Sequence, residues 1–110
     1  MEMIEIKKGY IVACVISGDY GKPRPAVVVQ SNLYKNHPSI TVRPLTTDLI
    51  DAPTFRLLLT PTELNGLNLE SHIMVDKISA IRSDKIQKKI GELSTKQLDE
   101  LIEAIKSWIN

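Results

Sequence analysis

Arg24 stands between two prolines in Gly21-Lys22-Pro23-Arg24-Pro25-Ala26-Val27-Val28-Val29-Gln30, and a pair of hydroxyls, Thr46 and Thr47, closes Val42-Arg43-Pro44-Leu45-Thr46-Thr47. Each proline ring fixes its own φ and restricts the residue before it, so the guanidinium rides on a stiff, extended backbone. Held at the mouth of an apolar run, its planar fork suits an anion, phosphate above all. Two hydroxyls at a second strand end would add hydrogen bonds. A plainer reading also fits these residues: Arg24 as a loop arginine paired with Asp19, and Thr46 as the cap of the turn before Asp48.

Other chemistries find less support. His37 and His72 are isolated, Cys14 is the one cysteine, and no run of carboxylates has ligand spacing, so neither a metal nor another cofactor is expected. His37 reads as a turn residue and His72 as a residue that starts a strand. The chain has no Gly-rich phosphate loop leading into a helix and no nucleophile elbow. Cys14 cannot form an intramolecular disulfide, and its place in the apolar run Ile11–Ile16 favours a reduced core thiol.

The charge is small overall but unevenly spread. Formal net charge is +1 over 110 residues, which argues against a general nucleic-acid coat protein. Between Ser17 and Thr47 the bases Lys22, Arg24, Lys35 and Arg43 face one acid, Asp19, whereas the C-terminal segment carries Glu92, Asp99, Glu100 and Glu103. One end of the molecule is therefore set to attract phosphates.

The elements that must position these groups read as short strands followed by one helix. Gly9–Ser17 and Pro25–Ser31 are β-branched, apolar and bounded by Gly, Pro and Asp, so both are expected as strands. Ser39–Leu45 and Thr54–Thr60 follow, and Pro44 implies an edge or a bulge in the former. Pro61–Leu64 suggests one helical turn capped by Thr60 and ended by Gly66. Ser71–Ile81 reads as a strand, Ser83–Ile86 as a turn and Gln87–Leu93 as the closing strand. Ser94 and Gln97 form a capping box ahead of Leu98, Leu101, Ile102, Ile105, Trp108 and Ile109 at helical spacing. Roughly sixteen helical residues span about 24 Å, enough to cover one side of a small barrel.

With 43% hydrophobic and 25% charged residues, the chain is expected to make one domain over residues 1–110, mostly β with a C-terminal helix. Its core is modest, so packing against a second copy would help. The N-terminal Met1-Glu2-Met3-Ile4-Glu5 has no signal-peptide character and nothing approaches a membrane span. A cytoplasmic protein that does not engage membranes is expected.

Taken in order, Lys7–Val12, Arg24–Gln30, Arg43–Thr47, Ser71–Ile78 and Ile90–Ser94 resemble the MazF/PemK (Kid) toxins of bacterial type II toxin–antitoxin systems. No single piece is specific; the ordered set, which covers nearly the whole chain, is. The resemblance implies a small SH3-like β-barrel with a C-terminal helix, working as a homodimer and held by a cognate antitoxin protein. DNA would be met only through the antitoxin complex. It also implies a metal-independent endoribonuclease, an mRNA interferase that cuts single-stranded RNA within short motifs. The family's active-site arginine and threonine fall on Arg24 and Thr46. RNA contacts are then expected from Asp19, Tyr20, Lys22, Arg43, Thr47, Asp76 and Lys77.

Two departures stand out. Many relatives have a longer first loop with a Gly-Ser-Glu-Gln-like segment; here Ser17-Gly18-Asp19-Tyr20-Gly21 is shorter, leaving Asp19 or Tyr20 as the acidic or phenolic partner. Some relatives also carry an arginine two residues before the aspartate that matches Asp76, where this chain has Met74. Two other readings compete with the nuclease. A CcdB-like gyrase poison on the same fold would use an exposed C-terminal tip such as Trp108-Ile109-Asn110, but has no need of the Arg24 and Thr46 pair. A barrel module that only binds protein leaves the basic loop unexplained.

Overall fold

In the computed structural model, which describes residues 5–16 and 21–110, seven strands and one helix follow the expected order. The strands are β1 (Tyr10–Val15), β2 (Pro23–Val28), β3 (Ser39–Thr46), β4 (Arg56–Leu59), β5 (Ser71–Met74), β6 (Ser79–Arg82) and β7 (Ile86–Glu92); the helix is α1 (Thr95–Ile109). All strand pairs are antiparallel, in the order β4-β5-β3-β2-β1-β7, with β6 paired to β3. The ladder does not close, since β4 and β7 end it. The expected mostly-β architecture is there, but no hydrogen-bonded seam joins its ends into a barrel.

Strand β3 is shared along its length. Its first half pairs with β6 from Ser39–Arg82 to Val42–Ser79, and its last two residues pair with β5 as Leu45–Ile73 and Thr46–His72. Pro44, which has no N–H to donate, falls between these two partners. The single strand expected over Ser71–Ile81 is in fact two. A turn interrupts it, marked by the Lys77 N–H donating to the Met74 carbonyl (3.1 Å), and β5 and β6 then pair with different stretches of β3.

Side-chain alternation sends two apolar sets to opposite faces of the sheet. Val12, Cys14, Ala26, Val28, Ile40, Val42, Ile81 and Ile86 pack on one face. Ile11, Val27, Leu45, Leu59, Ile73 and Val75 pack on the other, under Leu98, Leu101 and Ile105 of α1. Ser94 caps this helix in the expected box: its Oγ accepts from the Gln97 N–H and its own N–H donates to Gln97 Oε1, both at 3.1 Å. Cys14 is fully buried in the first set.

The segment after β4 departs from expectation in its cap. The single helical turn is there at residues 63–65, closed by the Gly66 N–H donating to the Thr62 carbonyl at 3.0 Å and ended by Gly66, but it is not capped by Thr60. Thr62 takes the capping role, with its Oγ1 accepting from the Asn65 N–H at 3.0 Å, because buried Asn65 returns bonds to the Thr62 N–H and the Thr60 carbonyl. This turn lies directly on β7, where the Glu92 N–H donates to the Leu64 carbonyl (3.0 Å) and a Cβ at Gly91 would collide with the Asn65 backbone. Gly91→Ala should therefore cost about 1–3 kcal/mol through overpacking. A urea titration showing an unchanged midpoint would contradict this close approach.

Candidate functional site

Register and alternation determine what stands beside Arg24. The β2–β3 ladder runs through Val28–Val42, Val27–Arg43 and Ala26–Pro44. Continued two residues past its end, the same register would bring Arg24 level with Thr46, and the alternation of side chains puts both on one face. That face is the one bearing Ala26, Val28 and Val42, away from α1. Arg24 is exposed, Thr46 is half-buried, and Cys14 is the partner of Arg24 on β1. The cation and the hydroxyl, twenty-two positions apart in sequence, thus occupy one row at the open end of a strand pair.

The row continues beyond them. Thr46 pairs with His72 on β5, and His72 pairs with Leu58 on β4, so all four share a face. In the next row Met74 pairs with Arg56. The position where some relatives carry an arginine is therefore flanked, across one strand, by an arginine of this chain. Sequence reading passed over Arg56 and gave His72 little weight, since only the pairing of strands distant in sequence brings them near Thr46.

Other expected site residues are distributed less uniformly. Lys22 and Thr47 are exposed, and Thr47 lines a recess of about 220 Å³ with Pro25 and Ser71. Thr46 Oγ1 accepts the Asp48 N–H at 3.1 Å, so the turn-capping role is realised and fixes the orientation of the hydroxyl beside Arg24. Asp76 is half-buried, with Oδ1 withdrawn from solvent and without a hydrogen bond among the described residues, while Lys77 is exposed. Asp19 and Tyr20 lie outside the described residues.

Arg43 is a correction to the expected set of surface contacts. It is 4% exposed, its Nε–H donates to the Val75 carbonyl at 3.0 Å, and burial pushes its guanidinium below the ordinary arginine pKa. Both faces of β3 are covered at this point, so Arg43 turns inward and braces the β5–β6 turn.

The acidic C-terminal residues beyond Glu92 lie on the helix, together with Lys96. Asp99, Glu100 and Glu103 line a shallow concavity on α1, which packs on the face opposite Arg24.

The fold is thus an antiparallel, mostly-β sheet with one C-terminal helix, with Arg24 and Thr46 at neighbouring strand ends. Residues 7–109 match the profile of the PemK-like, MazF-like toxins of type II toxin–antitoxin systems, and the chain belongs to that family. It is 33% identical over 90 residues to a probable endoribonuclease MazF of Mycolicibacterium smegmatis, covering 81% of this chain and 83% of that protein. Its fold is similar to the Mycobacterium tuberculosis toxin MazF-mt6, with TM-score 0.77 and 26% identity over 91% of this chain and 95% of that one. It is also similar in fold to a chain of the MazE-MazF complex from Deinococcus radiodurans, with TM-score 0.77, 20% identity and 97% of each chain covered.

Proposed function

We propose that this toxin is a metal-independent, sequence-selective endoribonuclease acting on single-stranded RNA, mRNA included, in the cytoplasm, and that its cuts stop translation and growth. The observation that carries the reading is that exposed Arg24 and half-buried Thr46 lie just past the end of the β2–β3 ladder, on the face opposite α1. Its relatives' names as MazF endoribonucleases support the same reading.

The chemistry asks little of the protein beyond placement and charge. A ribose 2′-oxygen attacks the adjoining phosphorus as the P–O5′ bond breaks, leaving a 2′,3′-cyclic phosphate and a 5′-hydroxyl. The 2′-hydroxyl proton leaves to a base, and the departing 5′-oxygen gains one. Arg24 neutralises the non-bridging oxygens, and the Thr46 hydroxyl, held by its turn, hydrogen-bonds to the same phosphate. Asp19 or Tyr20 supplies a proton-transfer group from the first loop. Lys22, Thr47, Asp76 and Lys77 line the strand to either side, and buried Arg43 supports the turn that carries the last two.

The toxin works as a homodimer, because a core this modest gains from an isologous interface. A cognate antitoxin lays an acidic and apolar segment over the Lys22–Arg24 cations, which RNA phosphates also need. A gyrase poison is less well supported: the tip residues Trp108 and Ile109 are exposed, but the family is that of the MazF-like toxins.

One reaction tests the proposal. Purified toxin should cut single-stranded RNA in EDTA, stop when antitoxin is added, and recover as excess RNA competes. Intact RNA after prolonged incubation with folded protein would reject the nuclease; simultaneous full-affinity binding of RNA and antitoxin would reject occlusion.

A further inference from the structure

Two nitrogens on the Arg24–Thr46 face are buried without a hydrogen-bond partner among the described residues: Arg56 Nε and His72 Nδ1. Their residues line one recess of about 310 Å³, between the outer face of β4–β5 and the loop that carries Ile50 and Asp51. His72 is 8% exposed, and Arg56 is half-buried. Arg56 makes no ion pair among the described residues, although exposed Asp51 stands on the same rim.

From this juxtaposition we propose that Arg56 and His72 form a second phosphate subsite, which holds the RNA phosphate adjoining the one that is cut. The inference rests on the nuclease reading and deepens it. His72 is the direct register partner of Thr46, and Arg56 lies one strand further on and two residues along. At about 4.8 Å per strand and 3.4 Å per residue, the recess begins at His72, roughly 5 Å from Thr46, and reaches Arg56 at roughly 12 Å, a span within reach of a neighbouring phosphate on the same RNA strand. Buried polar nitrogens are almost always paired, and an oxyanion is the partner that fits a guanidinium fork together with an imidazole whose proton is on Nδ1.

Charge decides between this occupant and a second copy of the chain. Exposed Leu58 and Ile50 border the recess and would suit an apolar partner. Such a partner, however, would seal Arg56 and His72 under a surface with no acceptor. A phosphate satisfies both, and its attached base can lie against Leu58.

The experiment compares RNA binding by a cleavage-dead Arg24→Ala form with and without Arg56→Gln, on a short RNA and on the same RNA with one methylphosphonate beside the cut site. Arg56→Gln should weaken binding of the natural RNA about tenfold and lower the salt dependence by about one ion. It should have no effect on the RNA that lacks that charge, and Arg56→Lys should restore part of the loss. His72→Gln, checked by thermal melting, should weaken binding in the same phosphate-dependent way. Equal losses on both RNAs, no loss at all, or a change in oligomeric state without a phosphate-specific loss would overturn the subsite. If the parent form binds neither RNA and wild type cuts none, the nuclease reading itself fails.

Discussion

Arg24→Ala is expected to lower kcat/KM for RNA cleavage at least a hundredfold, the scale of losing about 3 kcal/mol of transition-state stabilisation. The effect is that large because the phosphorane carries more negative charge than the ground-state phosphodiester, and Arg24 is the cation set opposite the Thr46 hydroxyl. Its exposure means that the melting temperature should hardly move. Thr46→Ala should fall short of this loss, since it removes a hydrogen bond rather than a charge, and it also releases the Asp48 N–H. Thr46→Ser keeps the hydroxyl and should retain most activity. Single-turnover cleavage of one labelled RNA measures all three; wild-type rates in both alanine variants would displace the site from this strand end.

A substrate with deoxyribose, or a 2′-O-methyl group, at the cut nucleotide should resist cleavage entirely, because the nucleophile is part of the RNA and the protein has no substitute for it. The same requirement accounts for a preference for RNA over DNA at one site. Products of the natural substrate should carry a 2′,3′-cyclic phosphate, or its opened 3′-phosphate, and a 5′-hydroxyl. Mass spectrometry detecting a 5′-phosphate, or cutting of the 2′-O-methyl RNA at the same bond, would rule out internal attack.

How much of this was legible in the sequence depended on the range of the interaction concerned. The strands at Tyr10–Val15 and Ser39–Thr46 follow from β-branched runs between breakers, and the helix start follows from Ser94 and Gln97, all of which act over a few residues. The break between β5 and β6 was missed, since Ile73, Val75 and Ile78 still look like one strand until β3 is seen to bind the two halves separately. The cap at Thr62 escaped notice because it depends on the burial of Asn65 against β7. Arg43 was misplaced for a related reason: a cation in a strand reads as a surface residue unless both faces of that strand are covered. The Arg24 and Thr46 pair was legible through motif resemblance, whereas Arg56 and His72 emerge only once the register of β4, β5 and β3 is known.

The pairing of β1 with β7 has a consequence for timing. Strand β1 leaves the ribosome well before β7, so its second edge stays open until residues 86–92 have followed it. Strand β3 likewise waits for β5 and β6, and the apolar face behind it waits for α1. At synthesis rates of about 5–20 residues per second, a nascent chain therefore spends seconds with β1 to β3 made and their outer partners still missing. The strand ends that carry Arg24 and Thr46 thus gain their full surroundings only after β5, β6, β7 and α1 have all been made.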